Sequence, residues 1–391
     1  MNYSIEIGKI VEGALKNDKE KLENYTKLLI EKLRADGENR TAEKFNKLLL
    51  GEVSKTLSPM NITGKTVPVD TESRTPLADV ILPGQNDSFV VLSERNKTKL
   101  NSFILNYKNA DKLNTLGLGI SNTLILYGPP GCGKTKCAYY IAKELNLPLV
   151  IARLDSMISS YLGTTAKNIR YLFEYIQRMP CVLFLDEFDA LAKARDDSNE
   201  LGELKRVVNS LLQNIDTMSS DSLLIAATNH DQLLDTAVWR RFDYKLKVEL
   251  PDTKAIRSLL DIFISDKLPI ESSQKDLLAI AFAGLSGATV EEIVKKTIRD
   301  SVIAGKECTY RDIFFELFLY KGFTENDVSH NKESLKNCIR FLHDLGKPFT
   351  YDVITEITGI SSKSMITPLL NEEKGVPEHG EKSTNQNHSS T

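Results

Sequence analysis

No stretch of this 391-residue chain approaches the ~20 consecutive apolar residues that a membrane-crossing helix requires. Its beginning, Met1 to Lys16, has neither the charged-then-apolar design nor the small-residue cleavage site of a secretory signal. Together these absences lead us to expect a cytoplasmic protein with no membrane contact. Charge of one sign is also missing: the net charge is −3, so nothing in the global balance demands nucleic acid or an anionic surface. Cysteine is sparse. Cys132, Cys137, Cys181, Cys308 and Cys338 form no C-x-x-C pair, and no histidine stands at metal-ligand spacing from them. An odd, scattered set fits reduced thiols. No internal repeat is visible.

What is present is ordinary globular material. Hydrophobic residues make up 41% and charged residues 26% of a length that suggests two or three domains. Leu22, Tyr25, Leu29 and Leu33 recur at helical spacing, so residues 1–52 are expected as an N-terminal helical domain, either a plain bundle or a recruiting module. Residues 53–83 scatter Pro59, Pro68, Pro76 and Pro83 among polar residues without periodicity, the pattern of an extended linker. From 84 to 250, short apolar runs alternate with helical stretches. The expected strands are Thr123–Tyr127, Leu149–Leu154, Cys181–Leu185, Leu223–Thr228 and Tyr244–Leu250. Continuous apolar runs are what parallel strands buried on both faces require, so an α/β doubly wound sheet is expected. Residues 251–320 read as a small helical lid domain. Residues 321–373 read as a helical extension like a helix-turn-helix, with helices at Ser334–Leu345, Tyr351–Thr358 and Ser362–Leu370. Residues 374–391 are polar and aperiodic, as in a disordered tail.

Four motifs carry chemistry. Gly128-Pro129-Pro130-Gly131-Cys132-Gly133-Lys134-Thr135 fits G-x-x-x-x-G-K-[ST] in full, with a strand before it and the helical stretch Lys134–Leu145 after it. Glycines let the backbone wrap phosphates, Lys134 suits the β and γ phosphates of ATP, and Thr135 suits Mg²⁺. Asp186 and Glu187 follow an apolar strand; the first is placed to hold Mg²⁺ and the second to polarise water. Taken alone, two acids after a strand are as often a solvated strand end. Asn229 closes the run Leu223–Thr228 and suits the attacking water or the γ-phosphate, although asparagine at a strand end is usually a turn former. Arg240 and Arg241 are adjacent cations. They are plain surface charge in a monomer, and in a ring they are arginine fingers for a neighbour.

In this order and spacing, the motifs over residues 84–320 resemble the AAA family: Walker A, Walker B, sensor 1, arginine fingers. The resemblance implies a P-loop AAA+ sheet with a C-terminal helical lid, ATP hydrolysis with Mg²⁺, and a ring oligomer, expected as a hexamer. Gly284-Leu285-Ser286-Gly287-Ala288 resembles the sensor 2 box of members with alanine in place of arginine, which brings Ala288 near the nucleotide. Tyr161-Leu162-Gly163 resembles the aromatic pore loop of members that pull on protein substrates, although Thr164 stands where an acid is usual. Arg240-Arg241-Phe242 resembles the katanin and spastin branch and a set of stand-alone prokaryotic members, some encoded beside a subtilisin-like protease, which makes such a protease a candidate partner. The rival expectation is a DNA-associated or regulatory ATPase working through residues 335–370. Its expected recognition helix, Ser362–Leu370, offers only Lys363 and, at its end, Asn371 for base contacts, which makes nucleic acid the weaker expectation.

Overall fold

A computed structural model describes residues 3–15, 18–52, 68–70, 75–83, 89–154, 162–190, 201–219, 221–264, 268–323, 332–360 and 362–371. Tyr161, residues 196–200 and the 374–391 tail lie outside the described residues. The described chain divides into two compact units, residues 1–251 with Ser286–Ala288, and residues 252–285 with the chain from 289 onward.

The first unit is built on a six-stranded sheet: β1 (Asp79–Ile81), β2 (Thr123–Tyr127), β3 (Leu149–Arg153), β4 (Val182–Asp186), β5 (Leu223–Thr228) and β6 (Tyr244–Lys247). Their order across the sheet is β1-β3-β4-β5-β2-β6; β1 pairs antiparallel with β3, and the other pairings are parallel. Strand β1 is a departure from expectation, because it falls inside the proline-scattered stretch expected to be linker. Val80 aligns with Val150, and Leu77 and Ala78 just before it are buried, so this short segment closes the sheet edge. The other strands lie within a residue or three of the apolar runs.

Period-two alternation splits each buried strand between two cores. Leu124 and Leu126, with Phe184, Ile225 and Ala227, pack on one face against Leu100, Phe103 and Ile104 of helix Glu94–Lys108, and against Cys137, Ala138 and Ile141 of helix Lys134–Leu145. Ile125, Leu183, Leu185, Leu224 and Ala226 face the other way, onto Ile169, Leu172 and Phe173 of helix Leu162–Ile176 and Val207, Val208 and Leu211 of helix Leu201–Asp216. With both faces covered, the strand ends are where backbone and polar side chains can meet a ligand.

Before the sheet come α1 (Ser4–Leu15), α2 (Lys19–Ala35) and α3 (Asn39–Glu52). The stripe of α2 is buried, with Tyr25 at 1% exposure; Leu29, Ile30, Leu33 and Ala42 form a small core of their own. Lys9 pairs with Asp221 at 2.6 Å and Arg178 with Glu20 at 3.4 Å, which ties this bundle to the amino-terminal end of the sheet.

In the second unit, Phe282, Val290, Phe314 and Phe318 share one buried cluster with Cys338, Ile339, Leu342, Ile354, Ile357 and Ile366. The stretches expected as separate lid and extension therefore have a common core. The expected helix Ser362–Leu370 is corrected. A 3₁₀ turn at Lys363–Met365 precedes a six-residue helix, Ile366–Asn371. Ser362 Oγ accepts the Ser364 N–H, and Pro368 is tolerated only in a first helical turn, so the helix cannot begin earlier.

Candidate functional site

The carboxyl ends of β2, β4 and β5 lie side by side, with Tyr127 aligned to Thr228 and Leu185 to Ala226. The phosphate-loop sequence leaves β2 through three glycines with positive φ: Gly128 at 140°, Gly131 at 73° and Gly133 at 97°. At Gly128 a side chain is excluded by space as well as conformation, since a Cβ would lie 2.2 Å from the Val248 carbonyl oxygen. A Cβ on Gly131 would lie 2.5 Å from Ser286 Oγ. Ala288 donates its N–H to the Gly131 carbonyl at 3.0 Å, so the alanine predicted near the nucleotide touches the loop through its backbone.

Gly133 caps the helix that begins at Lys134. Lys134 is 7% exposed, and its ammonium donates to the Gly128 and Pro129 carbonyls at 2.8 Å each. Burial pushes its pKa below the usual lysine value, opposed by the charges of Cys132, Asp186 and Asp189. One residue on, the Thr135 hydroxyl lies 3.5 Å from Asp186 Oδ2, and the other oxygen of Asp186 accepts the Glu187 N–H at 2.9 Å. Glu187 is exposed and sits at φ 54°, a left-handed conformation uncommon for glutamate, in a turn closed by the Ala190 N–H to Glu187 carbonyl bond. Residues held this way concentrate at functional sites. The donor set of hydroxyl and carboxylate oxygens beside a buried ammonium fits a magnesium triphosphate.

Asp189 was not singled out by sequence reasoning. It is 3% exposed and accepts from the Thr228 hydroxyl at 3.0 Å and from the Asn229 N–H at 3.4 Å. It therefore fastens the turn after β4, the turn that begins with Glu187, to Thr228 and Asn229 at the end of β5. An acid three residues after Asp186 in a tight turn was the available signal.

Gly128–Thr135, Asp186, Glu187, Asn229 and Ala288 are thus brought together. Arg240 and Arg241 are not with them. They follow the single turn Thr236–Trp239, at the amino end of β6. The Arg241 carbonyl accepts from the Thr123 hydroxyl at 2.9 Å, at the start of β2, about 13 Å of strand away from the loop that leaves its other end. The two differ: Arg241 donates to the Ala237 carbonyl at 2.7 Å and to Asp216 at 3.3 Å, whereas the Arg240 side chain is exposed and has no partner among the described residues. Leu162 and Gly163 begin the helix Leu162–Ile176.

Residues 124–250 match the model of the ATPase family associated with various cellular activities (AAA). An uncharacterized AAA family ATPase of Sinorhizobium fredii is 44% identical over 232 residues, which is 59% of this chain and 70% of the relative. The chain belongs to the AAA family of ATPases. This AAA ATPase is also similar to the ATP-dependent zinc metalloprotease FtsH of Thermus thermophilus, at 30% identity over 69% of the chain and 45% of FtsH. A second FtsH, from Parabacteroides distasonis, is 30% identical over 56% of the chain and 33% of the relative. The chain thus spans less than half the length of these FtsH proteins. Its fold is the α/β fold expected of AAA+ proteins, it binds nucleotide, and it hydrolyses ATP. No helix among the described residues is long and apolar enough to cross a membrane.

Proposed function

We propose that this AAA ATPase works as a ring, with the free energy of ATP hydrolysis spent on remodelling protein substrates. The observation that carries the reading is the split just described. One end of the sheet gathers Lys134, Thr135, Asp186, Glu187 and Asn229, while the unpartnered Arg240 sits at the opposite end. A site for a polyanion that lacks its final cation, on a subunit that exposes one elsewhere, is completed by a second copy placed head to tail.

In this reading Lys134 gives up the Gly128 and Pro129 carbonyls and takes the β and γ phosphates. Thr135 and Asp186 would hold Mg²⁺, which when bound offsets charge on the phosphate oxygens. Glu187 accepts the proton of the attacking water and Asn229 orients that water. Arg240 of the neighbour meets charge developing on the transferred group, a contribution worth roughly 10³–10⁵ in turnover where such arginines have been removed elsewhere. Tyr161, outside the described residues, would grip the substrate chain.

The zinc protease chemistry in the FtsH names has no counterpart motif here, since none of the five histidines begins a His-Glu-x-x-His. For a proteolytic partner, our candidate is the subtilisin-like protease. The DNA-associated reading is weakened by the six-residue length of the last described helix, too short to lie along a major groove and read bases.

The decisive experiment measures turnover against protein concentration, then with an unfolded model protein or with DNA. Specific activity that rises with assembly, responds to the unfolded chain and loses that response in Tyr161→Ala supports the proposal. Concentration-independent turnover removes the ring, and stimulation by DNA alone removes the protein substrate. Glu187→Gln should bind ATP and assemble while turnover stops; substantial retained turnover would exclude Glu187 as the base.

A further inference from the structure

The N-terminal bundle holds a groove of about 440 Å³ that the ATP chemistry does not use. Ile7, Leu29, Leu33 and Phe45 line it together with the carboxylates Asp36 and Glu38. Leu29 and Leu33 are 2% and 4% exposed, whereas Ile7 is 51% exposed. Ile7 also starts a stripe: Val11 and Leu15, at i+4 and i+8 on α1, are 51% and 83% exposed. Eight residues of helix extend this apolar surface by about 12 Å beyond the groove. That is longer than a small ligand covers, and it suits a helical or extended peptide laid along α1.

The charge lining the groove selects among peptides. Asp36 accepts the Tyr3 hydroxyl at 2.8 Å and Glu38 the Thr41 hydroxyl at 3.3 Å, but neither carboxylate has a cation in ion-pair range among the described residues. The hydrogen bond to Asp36, then desolvation and the charges of Asp36, Glu38 and Glu6, push the Tyr3 phenol up to about 12. Three lysines of the bundle are held away from these acids: Lys9 by Asp221 and Glu12, Lys21 by Glu12, Lys32 by Glu6.

We infer that this groove and the Ile7–Val11–Leu15 stripe capture a cationic amphipathic segment of another protein, apolar side chains on the apolar lining and Lys or Arg against Asp36 and Glu38. The inference names the class of substrate or adaptor for the proposed remodelling activity, and it is read by binding alone. Failure of remodelling would appear as unstimulated ATPase with binding intact.

The test uses the full chain and a fluorescein-labelled synthetic helix of leucine and lysine, followed by anisotropy. Saturable binding is expected, weaker at high salt, and absent for the same peptide with glutamate in place of lysine. Asp36→Asn with Glu38→Gln should weaken binding about tenfold, from two rim charge pairs, with basal ATPase and thermal midpoint unchanged. Ile7→Ser, at an exposed position, should weaken it independently of salt. Equal binding of the glutamate peptide, or unaltered binding by both variants, would overturn the proposal. So would sedimentation showing that the wild-type chain self-associates through this face, that Ile7→Ser abolishes the association, and that the peptide does not compete.

Discussion

Asp189→Ala is the substitution whose consequence the geometry specifies most fully. The carboxylate is 3% exposed and anchors the Thr228 hydroxyl at 3.0 Å and the Asn229 N–H at 3.4 Å. A hydrogen bond to a charged acceptor contributes about 1.5–3 kcal/mol, and a buried donor left without one costs about 1–3 kcal/mol. The longer second bond counts for less, so a loss of about 3 kcal/mol is expected in the first unit. For a unit of this size that is a fall of roughly 6–12 °C in thermal midpoint. The catalytic effect should be larger in proportion. Asn229 and the turn carrying Glu187 are held in register by the same carboxylate, and a misplacement of about 1 Å costs roughly 100-fold in rate. Asp189→Asn retains an acceptor for Thr228 and should fall between the two. Differential scanning calorimetry and steady-state ATPase measure both effects. A midpoint within about 2 °C of wild type, with turnover within about threefold, would refute the view that Asp189 couples β4 to β5.

Other perturbations probe separate parts. Gly128→Ala puts a Cβ 2.2 Å from the Val248 carbonyl and disturbs the adjacent Val248 N–H to Tyr127 carbonyl bond of 2.8 Å; equilibrium binding of a fluorescent ATP analogue should weaken at least about tenfold, through a displaced loop. Arg240→Ala should abolish assembly-dependent turnover without moving the thermal midpoint, whereas Arg241→Ala, which loses its bonds to Ala237 and Asp216, should lower both; subunit-mixing assays separate them. Burial pushes the Cys137 and Cys181 thiols up to about 12, so at pH 8 a thiol reagent should label them far more slowly in the native chain than in denaturant. In the second unit, hydrogen bonding from Arg257 holds the Asp261 carboxyl below its usual value. A depressed carboxylate stabilises fully above about pH 4 and loses that contribution as pH falls through the lowered value. Because the side chain is half exposed, Asp261→Asn should cost under about 1 kcal/mol at pH 7 in urea unfolding.

Much of the fold was legible because its parallel strands are buried on both faces and therefore read as continuous apolar runs. Leu223–Thr228 is buried at every position. Strand β1 was illegible for the opposite reason. At three residues it is too short to show alternation, and only its pairing with β3 makes it a strand. The helix expected from Ser362 failed on a local matter, the competition of serine side chains with the backbone just before Pro368.

By itself the sequence determined the phosphate-binding loop, the acids that end β4 and the parallel order of strand and helix, since each depends on residue type and spacing along one segment. The tertiary structure alone decided how the segments meet. It buried Asp189 against Thr228 and Asn229, closed Gly128 onto Val248, and separated Arg240 from its own Lys134 by the length of a strand. These are contacts between residues far apart in the chain, created when the sheet brings its strand ends together, and no local pattern encodes them.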